Sequence, residues 1–137
     1  MRLYSSHLLT IDYNPSTDIL FTQWPSAHPY NLAEVENALH ILVETIRNYD
    51  VKRLLIDAST TKIDPNLDEE RYKGIIMRFA MDLMKTRLQK SARILTADKA
   101  REARSQEIAQ EVTQKTHLTV QSQYFATKAE AEAWLLE

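Results

Sequence analysis

The residues best suited to chemistry in this chain are the polar run Asp57, Ser59, Thr60, Thr61 and Lys62, four histidines, and the acidic group Asp64, Asp68, Glu69 and Glu70. The polar run follows the apolar stretch Leu54-Leu55-Ile56 directly. It therefore falls at the C-terminal end of an expected strand, where open α/β sheets place their ligands. Its carboxylate, hydroxyls and ammonium can bind a polar group or a partner's loop, and the same residue types can also satisfy their own backbone in a turn. His7, His28, His40 and His117 show neither the helical pairing nor the clustering of a histidine and carboxylate site, so no metal is expected. No Gly-x-Ser-x-Gly elbow exists, and a relay from Ser59 through a histidine to Asp57 would need a remote histidine that no pattern singles out. The acidic group suits the first turn of a helix, where carboxylates cap N–H groups and complement the dipole. No catalytic residue, and no enzyme, is expected.

Composition removes further classes. The single glycine, Gly74, excludes the dinucleotide fingerprint and the phosphate-cradling loop, which both need several, so no cofactor is expected. Without cysteine there is no disulfide, thiolate site or cysteine nucleophile. The net charge of −2 comes from 17 basic and 19 acidic residues mixed along the chain, which speaks against a nucleic-acid partner. The most basic stretch, Lys85 to Arg104, reads as a solvated helix face. No apolar run approaches the roughly 20 residues of a membrane span. Met1 to Ser6 lacks the apolar core of a signal peptide, so a cytoplasmic protein with no integral membrane segment is expected. A length of 137 residues, 44% of them hydrophobic and 26% charged, fits one domain over residues 1–137.

The elements that must position these residues alternate between two periods. His7 to Tyr13 and Ile19 to Trp24 read as strands around the turn formers Asn14 to Asp18, an antiparallel hairpin. Asn31 with Glu34 opens a helix carrying Val35, Leu39, Leu42, Val43, Ile46 and Tyr49. Arg53 to Asp57 is a central strand covered on both faces. The second helix opens either at Asp64-Pro65 or at Asn66 and carries Tyr72, Ile75, Ile76, Phe79 and Leu83. Met77, Met81 and Met84 broaden its apolar face, which suits a second subunit or an apolar ligand. Ser91 to Leu95 is a short strand, and Asp98 caps a polar helix with a thin stripe of Ala100, Ala103, Ile108 and Val112. Leu118 to Phe125 is the last strand, and Thr127 with Glu130 caps a helix turning Trp134, Leu135 and Leu136 inward. The order is β-β-α-β-α-β-α-β-α: an α/β fold with a mostly parallel sheet, an opening antiparallel hairpin and helices packed on the sheet.

Three features together carry a resemblance: the hairpin ending at Trp24, the segment Val51-Lys52-Arg53-Leu54-Leu55-Ile56-Asp57-Ala58-Ser59, and the terminal run from Phe125 to Leu135. Taken with the element order, they resemble the SpoIIAA-like branch of the STAS superfamily, which includes anti-sigma-factor antagonists and small bacterial STAS/SEC14 domain proteins. The resemblance implies a non-enzymatic regulatory or protein-binding module with a protein partner. The alternative is a binder of a small apolar or lipid-like ligand in a pocket beside the second helix. In the antagonists a serine followed by glycine opens the helix after the central strand. Thr61 to Asp68 has no such pair, so a switch run by serine phosphorylation is not expected. The broad apolar helix face and an open sheet edge further predict a homodimer.

Overall fold

The structure, a computed structural model, describes residues 1–137. Its elements are β1 (Arg2–Ser5), β2 (Thr10–Asn14), β3 (Ile19–Gln23), α1 (Leu32–Asn48), β4 (Arg53–Asp57), α2 (Glu69–Leu83), β5 (Lys90–Ile94), α3 (Lys99–Thr116), β6 (Gln121–Phe125) and α4 (Lys128–Leu135). The six strands lie side by side in chain order. β1, β2 and β3 are antiparallel, and β3 to β6 run parallel. The expected α/β architecture is present, with one strand added at its start. β1 is four residues long and shows no alternation of its own. It is held by pairing with β2 and by Arg2, which meets Asp12 at 2.8 Å.

Right-handed crossovers that always step to the next strand put their helices on one face. Accordingly Leu20, Leu54 and Ile56 pack into a large core with α1 and α2, and α4 packs on the opposite face against Ile19, Leu55, Ala92 and Ile94. β4 is thus covered on both sides, which accounts for its unbroken apolar centre. Arg53 Nε and Lys90 Nζ donate to the Leu135 and Trp134 carbonyls at 2.8 and 3.1 Å, placing cations at the C-terminus of α4.

Several local expectations shift by a few residues. Ser6 accepts from the Leu8 and Leu9 N–H groups, so a turn consumes the start of the expected first strand. Asn31 precedes α1 without capping it. Its amide instead accepts from His28 N and donates to the Ser26 carbonyl, fixing the loop before the helix. α2 starts later than either proposed opening, at an Asp68 cap that accepts from Arg71 N at 3.1 Å. Asp64 is used in a turn on Asn66 N. Asp98 and Thr127 cap α3 and α4 as expected. Ala100, Ala103 and Leu136 face solvent, and the buried stripe of α3 is Glu102, Ile108 and Val112. Met77 packs between α2 and α3, whereas Met81 is exposed. No helix is long and apolar enough to cross a membrane.

Candidate functional site

The helix-facing side of the sheet changes character across β4, β5 and β6. On β4 it carries Leu54 and Ile56. The register sets Ser91 and Ser122 beside Leu54, and Arg93 and Tyr124 beside Ile56. Small hydroxyls thus stand where aliphatic side chains would fill the space beneath a helix. Above them α3 packs onto α2 through Ala80, Ile108 and Val112. Between the two layers is a cavity of about 190 Å³, open to solvent where Ser122, Gln123 and Tyr124 of β6 are exposed. Tyr72, Ile76 and Phe79 of α2 and Arg101, Ser105 and Ile108 of α3 form its walls, and Trp24, Ala58 and Thr61 line it from the loops. Two roomier hollows, about 300 Å³ each, lie against α1. Charged and amide side chains such as Glu34, Glu36, Asn37 and Asp82 line them, so they offer less apolar wall than the cavity under α3.

Two polar lining residues, Arg93 and Tyr72, are held in fixed pairs, and a third, Arg101, carries an orphan donor. Glu102, only 8% exposed, accepts from Arg93 Nη1 and Nη2 at 2.8 and 2.9 Å, and also from Thr96 N at 2.9 Å and Gln106 Nε2 at 3.0 Å. The Arg93 guanidinium also lies 5.3 Å from the Tyr124 ring. Trp24 Nε1 donates to the Tyr72 hydroxyl at 2.9 Å, and Trp24 stands edge-on to Phe79 at 5.6 Å. Burial pushes the Tyr72 phenol up, against the opposing pull of the Trp24 N–H and the Arg101 and Arg93 charges. Tyr72 is therefore neutral at physiological pH, with its acceptor site filled and its proton free to donate. The orphan is Arg101, whose Nε is shut off from solvent without a hydrogen-bond partner. A buried donor left in that state costs about 1–3 kcal/mol, and more when charged.

The run singled out in the sequence is spent largely on its own loop and on the neighbouring loop after β3. Asp57 Oδ1 accepts from Ser59 N and Ser59 Oγ at 2.9 and 2.6 Å. Thr61 Oγ1 donates to the Trp24 carbonyl at 2.7 Å, and Lys62 N donates to Ser26 Oγ at 3.0 Å. Ser59, Thr60 and Lys62 are exposed, and of the five only Thr61 reaches the cavity wall. The acidic group also serves locally: Asp68 caps α2, Glu69 meets Arg104, and Glu70 meets Lys73 at 3.4 Å. The histidines stay apart, and no three His, Asp or Glu side chains gather as metal ligands.

Sequence reasoning missed Arg93, Glu102 and Arg101. A signal existed for the first two. Arg93 alternates with the buried Ala92 and Ile94, and Glu102 shares a helical stripe with Ile108 and Val112. A strand base and a helix acid, each among apolar neighbours and separated by a short loop, mark a buried pair. Against protein-family models, curated proteins and solved structures, the chain finds no match.

Proposed function

We propose that this chain is a non-catalytic binding protein whose cavity between β4–β6 and α2–α3 takes a small, predominantly apolar molecule. The observation that carries this reading is the cavity itself, walled by Ile76, Phe79, Ile108 and other apolar side chains with a few convergent polar groups. It lies beside the second helix, where the apolar-ligand reading requires a pocket. Native mass spectrometry of the protein purified gently from its own host tests it. A small extra mass lost on denaturation, and absent from a Ser91→Leu variant that fills the cavity floor, is the expected result. Only bare chain mass, or equal retention by the variant, would overturn it.

A second reading, a regulatory protein-binding module of the STAS type, is favoured by the outer edge of β6. That strand pairs only with β5, and Gln121 to Tyr124 are exposed, so its free edge can accept a partner strand or a second copy. The same spectrum reads the subunit count. A dimer with no retained small molecule would make this the better account.

A further inference from the structure

We propose that the occupant of the cavity under α3 is an apolar carboxylate, its anionic end seated against Arg101; this rests on the small-molecule reading above. The lining contains two guanidinium groups, Arg93 and Arg101, and no carboxylate. Arg93 is already neutralised by Glu102, which grips both its terminal nitrogens. Arg101 is not neutralised. The other nearby carboxylates are engaged elsewhere, Glu69 and Glu107 both with Arg104. Arg101 is thus the cation of the lining without an ion-pair partner, and its Nε is cut off from water and unpaired.

A planar guanidinium matches a carboxylate through two parallel N–H bonds, a geometry that a neutral hydroxyl cannot reproduce. Tyr72 lines the same cavity as Arg101, and its hydroxyl, which accepts from Trp24 Nε1, has a proton to give. The remaining wall, Ile76, Phe79, Ile108 and Val112, suits a hydrocarbon body. An uncharged ligand would fill the same volume but offer no anionic acceptor to Arg101, whose Nε is unpaired and cut off from water.

The test titrates the intact chain with octanoate and with octanol at neutral pH, followed by calorimetry. Octanoate is expected to bind roughly tenfold or more tighter than octanol, the margin of a charge-assisted hydrogen bond. Arg101→Met should abolish the preference for octanoate over octanol, and Arg101→Lys should restore part of it. Far-UV circular dichroism of both variants checks that α3 is intact. Equal affinities in the parent, or a preference that survives Arg101→Met in a folded protein, would overturn the proposal. Octanol binding without an octanoate preference refutes the anionic group and leaves the cavity reading standing. Binding of neither probe refutes both.

Discussion

Glu102→Ala should be among the most destabilising single substitutions in this protein, although Glu102 is one of the few charged residues in its interior. The carboxylate receives both terminal nitrogens of Arg93, the Thr96 N–H and the Gln106 amide. The side chains of Arg93 and Glu102 are 20% and 11% exposed, so neither charge is well hydrated. Breaking a buried pair by removing one partner typically costs 3–5 kcal/mol. Partial exposure of Arg93 and its stacking on Tyr124 put this case at the lower end, about 3 kcal/mol. For a chain of this length that corresponds to a fall in Tm of roughly 10 °C.

Urea and thermal unfolding of Glu102→Ala, Arg93→Met and the Arg93→Met/Glu102→Leu double variant separate charge from packing. If the penalty comes from a stranded charge, the double variant should recover to within about 1 kcal/mol of the parent. A loss below about 1 kcal/mol for Glu102→Ala would show that water already screens the pair. A double variant as unstable as the single one would show that shape, not charge, set the cost. Either outcome refutes the reasoning.

Two further outcomes follow from local geometry and titration. Gly74 sits inside α2, where an added Cβ meets nothing within 4 Å, so Gly74→Ala should raise the urea midpoint, stabilising by about 0.5–1 kcal/mol. Tyr13 is pushed up from 10.0 to about 12 by burial and by its hydrogen bond to Asp18. The folded state thus holds the phenol proton more tightly than the unfolded state, and this stability is fully present below pH 10 and lost as pH rises towards 12. Unfolding followed across that interval should show Tyr13→Phe with a shallower decline than the parent, and equal slopes would sink the assignment.

Those parts of the fold governed by neighbours in the chain were legible. The stripe Val35, Leu39, Leu42, Val43 and Ile46 is buried throughout, and Arg53–Asp57 is the strand covered on both faces. Asp98 and Thr127 cap their helices because the cap needs only its own side chain and the next turn. β1 was not legible, since it exists by pairing with a strand several residues on and carries no pattern of its own. Asn31 looked like a cap because of its type and spacing, yet the Ser26 carbonyl and His28 N–H compete for the same amide and win. The polar run Asp57 to Lys62 stood out by position, but its loop absorbs the hydrogen-bonding capacity of Asp57, Ser59 and Thr61. A pocket beside the second helix was an expectation of the apolar-ligand reading, but its lining could not be read, because it depends on which residue of β5 lies beside Leu54 and which of β6 lies beside Ser91. Register across strands is a long-range property.

That register also explains why a cavity is tolerated where it is. The main core, 20 buried residues drawn chiefly from α1, α2 and β2 to β4, lies on the near side of β5 and packs without α3. α3 is joined to α2 by a cluster of only three buried residues, Ala80, Ile108 and Val112. The pocket of about 190 Å³ opens to solvent at the exposed face of β6, so it does not carry the full cost of a sealed cavity of that size. Of the main core, Ile56, Tyr72, Phe79, Leu83 and Val120 line the pocket. A ligand present at about 100 times its Kd would stabilise the folded state by about 2.7 kcal/mol. Binding under α3 would consequently be felt first in how α3 and the β6 edge are held, which joins the small-molecule reading to the partner-binding one through a single element.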